Sequence, residues 1–287
     1  MCKVYFAGTE DFNYALMAKL GGAKYCLMTA YPFVRKGAVS ECAIASYLLS
    51  FCKGVILDSG LFTLMFGADK GKKSERFILD WTQSLIEFIR NNPTQITPVE
   101  VDCQKVLSPE KAWELRMLMK SQLGEQEFIN VFHYEDGKKG LDRLIEFSSY
   151  IAISVPEIRQ IRNKVAREEV LRIACYIKNK KPSIKIHLLG CTEEAILRDC
   201  YFCTSADSTS WKQFARWGGH KVVVNGKVVK ARVKYNHLGG FDAVAREYAI
   251  EERPLPKSKK MHTLLMDGIT QVRNHVKIYS SYCGSQN

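Results

Sequence analysis

The chain has 287 residues, 46% of them hydrophobic and 25% charged, and its 42 Lys+Arg against 30 Asp+Glu give a formal net charge of +12. With a mean hydropathy of -0.16, such a composition buries a sizeable core and excludes a disordered chain; the length allows one large domain or a domain and a half. No apolar run reaches the roughly 18 residues of a membrane span, the apolar part of the start Met1–Gly8 is too short for a signal peptide, and the basic balance makes a polyanion the first partner to consider.

In chain order, short apolar runs alternate with stretches of helical apolar spacing. The pattern predicts a strand over Lys3–Gly8, a helix over Asp11–Leu20, a strand over Tyr25–Tyr31, a helix over Ser40–Phe51 and a strand over Gly54–Asp58. A helix over Ser74–Asn91, a strand over Pro98–Asp102, a helix over Ser108–Leu123 and a strand over Phe128–His133 follow. Next come a helix over Gly140–Phe147, a strand over Tyr150–Val155, a helix over Arg159–Lys178, a strand over Ile184–Gly190, a helix over Glu193–Asp199 and a strand over Tyr201–Asp207. Ser108-Pro109-Glu110 is a good helix start, because Ser caps the free amides and Pro fits the first turn. Strands apolar on both faces that alternate with helices imply a parallel sheet covered by helices, and eight repeats imply a closed (β/α)8 TIM barrel over residues 1–211. A doubly wound sheet is the alternative, but Gly8-Thr-Glu-Asp is not its glycine-rich phosphate turn.

The ten cysteines are scattered, often inside apolar runs, as reduced core residues of a cytoplasmic protein are. Cys200-Tyr-Phe-Cys203 lacks the second pair that a four-ligand zinc site needs. Past Asp207 the texture changes. Residues 212–287 hold 14 Lys/Arg against 5 Asp/Glu, which is +9 of the +12, and form a separate basic extension. His220–Val233 reads as a β-hairpin turning on Asn225-Gly226, with its basic residues together on one face. The aromatics Trp211, Phe214, Trp217 and Tyr235 are interleaved with Lys212, Arg216, Lys221, Lys227, Lys230, Arg232 and Lys234, which favours a nucleic-acid surface over a merely solvated one. A helix over Gly240–Glu251, a basic loop through Pro254–Lys260 and a terminal helix over His262–Tyr279 complete the extension.

In a barrel, chemistry belongs at the carboxyl ends of the strands. Here those ends carry Asp58, Asp102, His133 and Asp207. An Asp closing a strand is commonly the N-cap of the next helix, but three of them suggest a divalent-cation site or carbohydrate-type chemistry at an anomeric carbon.

Asp58-Ser59-Gly60-Leu61-Phe62 resembles the Asp-Ser-Gly-Gly-aromatic motif of the queuine/archaeosine tRNA-guanine transglycosylases. Val99-Glu-Val-Asp102-Cys103 resembles their substrate-binding Asp strand, and Val131-Phe132-His133 falls where they carry Gln. Tyr150–Glu157 resembles their base-contacting loop, Ile186–Cys191 their Leu-Met-Gly strand, and Ala206-Asp207-Ser208 the strand of their nucleophile, all in the same order. The resemblance implies that Asp207 is the nucleophile and Asp58 the general acid/base. It further implies that Asp102 accepts hydrogen bonds from guanine, that Ser59, His133, Ser154 and Gly190 help to form the pocket, and that Phe62 and Leu189 flank the base. The chain departs from the family at Leu61, His133 and Ile153-Ser154-Val155-Pro156, and only Cys283 follows Cys203, so the family's zinc subdomain has no counterpart. His133 is equally a site adaptation or a packed histidine. A transglycosylase centre without a zinc unit but with a basic tail is most similar to the phage DNA-guanine transglycosylases of the DpdA type. That implies exchange of guanine in DNA for a 7-deazaguanine base such as 7-cyano-7-deazaguanine, with no cofactor, as protection against restriction in the host cytoplasm. A reduced tRNA-guanine transglycosylase, a non-catalytic nucleic-acid-binding barrel and a metal-dependent hydrolase are the rivals.

Overall fold

The structure is a computed structural model that describes residues 2–37, 42–61, 74–212, 219–224, 227–232 and 259–283; the side chains of 219–224, 227–232 and 259–264 lie outside the description. It is an α/β fold on eight parallel strands. In chain order these are β1 (Lys3–Ala7), β2 (Tyr25–Thr29), β3 (Gly54–Asp58), β4 (Ile96–Pro98), β5 (Asn130–Phe132), β6 (Tyr150–Ser154), β7 (Lys185–Leu189) and β8 (Ser205–Ser208). Their order in the sheet is β4-β3-β2-β1-β8-β7-β6-β5. The connecting helices are α1 (Phe12–Gly21), α2 (Tyr31–Val34), α3 (Ala43–Leu49), α4 (Glu75–Arg90), α5 (Pro109–Leu123), α6 (Gly137–Phe147), α7 (Val155–Arg162), α8 (Ala166–Lys180) and α9 (Glu194–Asp199). After β8 come an antiparallel pair, β9 (Gly219–Val224) and β10 (Lys227–Arg232), and a long helix, α10 (Lys259–Cys283).

The chain groups into two compact units, one of Met1–Leu27, Ile44–Val55 and Gly190–Asn287, the other of Met28–Ala43 and Ile56–Leu189. In the first unit, β1 pairs in parallel with β8, Tyr5 opposite Asp207, and with β2, Phe6 opposite Cys26. Trp211 is fully buried, edge-on to both Phe6 and Tyr14. Helix α10 packs on α1 at glycines. A Cβ on Gly21 would lie 2.4 Å from Val272, and one on Gly268 would lie 2.4 Å from the Met17 sulfur. The C-terminal helix therefore belongs to the body that contains the first strand.

In the second unit, β6 pairs in parallel with β5 and β7. Beyond β4, Val99 forms an isolated parallel bridge with Ile129, with Ile129 N–H donating to Pro98 O at 2.8 Å and Glu100 N–H to Ile129 O at 2.9 Å. Helix α4 starts where the Ser74 hydroxyl accepts the Phe77 N–H, and α5 where Ser108 accepts the Lys111 N–H. Each cap satisfies an amide that the first helical turn leaves over. Helix α4 turns Ile78, Trp81, Leu85 and Ile89 inward at helical spacing.

Several boundaries differ from expectation. The fourth strand ends at Pro98 rather than Asp102, because the chain turns at Cys103, whose N–H donates back to Val101 O. The eighth begins at Ser205 rather than Tyr201, since Cys200–Cys203 closes a turn through Cys203 N–H to Cys200 O, and Tyr201 is exposed. The helix expected over Arg159–Lys178 starts four residues earlier, with Pro156 in its first turn, and is broken by a 3-10 turn at Asn163–Val165. Helix α2 was not expected at all; Pro32 in its first turn marks it. In the hairpin, Lys230 stands opposite Lys221 but Lys227 opposite Val224. Lys221, Lys230 and Arg232 thus share one phase of the ladder, and Lys227, three residues from Lys230, falls in the other. The expected turn at 225–226, the helix over 240–251 and the basic loop through 254–258 lie outside the described residues.

Candidate active site

Asp58 closes β3. Its Oδ1 accepts the N–H of Gly60 at 2.8 Å, and its backbone carbonyl accepts the Ala30 N–H at 2.8 Å. This Asx turn explains the Asp-Ser-Gly triplet physically. Gly60 has φ 77°, and a Cβ there would lie 2.7 Å from Tyr31 N and Cβ, so only glycine fits. Ser59 is buried and its carbonyl accepts the Trp81 indole N–H at 3.2 Å. Leu61, where the resembled family has glycine, is 1% exposed. Phe62 lies outside the described residues.

Asp102 follows the β4 extension and His133 follows β5 directly. His133 Nε2 stands 2.6 Å from Asp102 Oδ1, and its Nδ1 stands 2.8 Å from Glu157 Oε2. Burial opposes the charged imidazolium, but the hydrogen bonds and negative charges of Asp102 and Glu157 outweigh it and raise the His133 pKa to about 10. Burial likewise opposes the Glu157 carboxylate, which His133 and Lys105 nonetheless hold below its usual range. Lys105 Nζ stands 3.0 Å from Glu157 Oε1 and also pairs with Glu135. Both His133 nitrogens are therefore occupied by carboxylates, and the ring is 4% exposed. His133 is thus packed against Asp102 and Glu157 beside the strand ends.

A second buried ion pair joins Arg116 to Glu100. Arg116 Nε donates to Glu100 Oε2 and Nη2 to Oε1, each at 2.6 Å. Glu100 also accepts from Asn130 Nδ2 at 2.6 Å and from Val131 N–H at 2.8 Å. The four bonds satisfy the buried carboxylate and tie the segment after β4 to β5. Ser154 closes β6 and occupies the N-cap position of α7 without a side-chain capping bond. Leu189 closes β7 and is half-buried.

In the other unit, Asp207 lies in β8, 7% exposed, and its Oδ1 accepts the N–H of Gly190 at 2.7 Å. Gly190 has φ 65°, the left-handed region that glycine enters without strain. Trp211 and Lys212 do not present the nucleic-acid surface expected of them. Trp211 donates its indole N–H to Ala7 O at 3.0 Å. Lys212 is 5% exposed, donates to Gly8 O at 2.9 Å and sits 3.8 Å from the centre of the Tyr14 ring. Gly8 is left-handed at φ 87°, and a Cβ on it would come 2.6 Å from Lys212 Nζ. Arg216 and Lys234 lie outside the described residues; Lys221, Lys227, Lys230 and Arg232 are described as backbone only.

Glu157, Glu100 and Arg116 were not singled out from the sequence. Only Glu157 had a readable signal, as an acid in the first turn of a helix opened by Pro156 directly after a strand. Among the described residues, no group of three or more His, Cys, Asp or Glu is arranged to hold a metal ion.

The His133 cluster makes stability depend on pH. The folded-state pKa lies above the ordinary 6.5, so its contribution is fully present below pH 6.5 and is lost as pH rises through about 10. The difference in unfolding free energy between wild type and His133→Asn, measured by urea denaturation, is expected to be on the order of a few kcal/mol near pH 6 and to shrink steadily toward pH 10.

No protein-family model matches the chain, and no curated protein does. Among solved structures, an aldolase designated QR15 is similar over 73% of this chain and 90% of its own, at 12% sequence identity and a TM-score of 0.41. A likeness of that size carries no argument about activity.

Proposed function

We propose that the chain is a DNA-guanine transglycosylase. The observation that carries this reading is the position of the motif residues. Asp58, Ser154 and Leu189 each end a strand, Asp207 stands one residue from the end of β8, and His133 immediately follows β5. Carboxyl ends of parallel strands are where barrel enzymes carry their chemistry. We read the sheet as a closed (β/α)8 barrel, supported by the Val99–Ile129 bridge between the segments flanking the two outermost strands of the sheet order.

In this mechanism the Asp207 carboxylate attacks C1′ of a deoxyguanosine, the C1′–N9 bond breaks, and Asp58 delivers a proton to the departing guanine. The ester between Asp207 and C1′ is then attacked by the corresponding nitrogen of a 7-deazaguanine, which gives its proton to Asp58. Asp207 is released, and two inversions retain the β-anomer. Asp102 accepts the N1–H and 2-amino protons of guanine, a donor pair that adenine does not offer. Ser59, Ser154 and Gly190 complete the pocket, and Phe62 and Leu189 flank the base. The target base leaves the duplex to reach such a pocket, while Arg216, Lys221, Lys227, Lys230, Arg232 and Lys234 of the extension hold phosphates.

Incubation with radiolabelled guanine and either duplex DNA or tRNA tests the reading. Label entering DNA, insensitive to chelator, is the expected result. Label in tRNA alone overturns the choice of polymer, and no exchange with guanine or any 7-deazaguanine overturns catalysis.

A further inference from the structure

The charged chain behind Asp102 goes beyond the residues that the proposed chemistry uses. Its members come from three separate places: Asp102 and Lys105 from the loop after β4, His133 and Glu135 from the end of β5, and Glu157 from the first turn of α7. The Glu157 side chain is 9% exposed and that of His133 5%. Asp102 is 32% exposed, and no second hydrogen bond to it is found among the described residues. Around it, Arg116, paired with Glu100, and the Cys103 thiol both feel its field, and Asp136 acts on Arg116 as well.

The hydrogen-bond geometry constrains the protons. With Glu157 ionised, Nδ1 of His133 must carry a hydrogen. Nε2 then either carries a second one, which makes Asp102 a carboxylate that only accepts, or lacks it, in which case the short contact to Asp102 requires a protonated carboxyl that donates. These two states select opposite ligands. Negative charge on Glu157 favours the first by stabilising the imidazolium.

We propose that Glu157, itself held by Lys105, is a positioning residue that keeps His133 doubly protonated and thereby fixes Asp102 as an acceptor-only carboxylate, matched to a base edge that presents two adjacent N–H donors. This rests on the reading of Asp102 as the residue that receives the base.

The test combines side-chain NMR titration of His133 with equilibrium binding of guanine from pH 6 to pH 9, in wild type, Glu157→Gln and Glu157→Asp. Wild-type His133 is expected to stay doubly protonated across this range. In Glu157→Gln its midpoint falls by about one pH unit or more, and guanine affinity at pH 9 drops about twofold or more but recovers as the pH is lowered and the imidazolium re-forms. Glu157→Asp, which keeps the charge, retains most of the affinity and covers the case of a Gln variant that folds poorly. A wild-type midpoint near the ordinary histidine value, an unchanged midpoint in Glu157→Gln, or a loss of affinity equal at every pH overturns the proposal. A wild type that binds no guanine, with His133 still shifted by Glu157→Gln, overturns the base-receiving reading of Asp102 and supports the charge chain.

Discussion

Asp207→Asn is expected to lose base exchange by a factor on the order of 10³ or more while DNA affinity stays within about twofold of wild type. An amide oxygen is a far weaker nucleophile than a carboxylate and a poor partner for the positive charge that develops at C1′. Asparagine is the informative replacement because its side-chain carbonyl still accepts the Gly190 N–H that Asp207 Oδ1 accepts at 2.7 Å. Alanine removes that acceptor, and an amide left without it costs about 1–3 kcal/mol. Alanine therefore confounds lost chemistry with a disturbed loop at a left-handed glycine. Exchange assays with labelled guanine, paired with gel-shift binding of the same duplex, separate the two effects. If Asp207→Asn exchanges guanine at a tenth of the wild-type rate or faster, Asp207 is not the nucleophile.

The largest expected effect on stability lies elsewhere, at Arg116. Arg116→Ala is expected to lower the unfolding free energy by about 3–5 kcal/mol, because it leaves the Glu100 carboxylate buried with no cation. Glu100 keeps only the Asn130 amide and the Val131 N–H, which satisfy lone pairs but do not neutralise charge. Glu100→Gln is expected to cost less, since glutamine still accepts from these groups and Arg116 retains 8% side-chain exposure toward water. Urea denaturation of both variants checks the order, and equal loss in the two means that packing of the side chains, not charge, dominates at this site. Since Glu100 sits between the Val99 bridge and Asp102, Arg116→Ala should also weaken guanine binding without any direct contact to the ligand.

Much of the fold was legible because a parallel strand covered on both faces is an unbroken apolar run, as at Val55–Leu57 and Ile151–Ile153, and because Ser74 and Ser108 mark helix starts by a local chemistry. Boundaries set by single hydrogen bonds were not legible: nothing in Val99–Cys103 announces the backward bond from Cys103 to Val101 that ends the strand. Asp58 and Asp207 stood out as charges closing apolar runs. The Glu100–Arg116 pair did not, because its partners are 16 residues apart in no motif and meet only where α5 brings Arg116 back to the segment after β4. Trp211 and Lys212 were misread for a related reason. Local composition joins them to a basic, aromatic stretch, whereas their direction is decided by two backbone carbonyls about 204 positions away, at Ala7 and Gly8. His133 was visible as a residue but not as a cation, since that depends on Glu157 from another helix.

The most direct test of the proposed chemistry is capture of its covalent intermediate. Guanine-containing duplex DNA is incubated with the protein and 9-deazaguanine, which occupies the base site but cannot complete the second displacement; the mixture is denatured, resolved on a gel and mapped by peptide mass spectrometry. The predicted result is a protein–DNA adduct that survives denaturation, maps to Asp207 and is missing from Asp207→Asn. Guanine exchange that proceeds with no adduct, or an adduct mapped to a different residue, would contradict it.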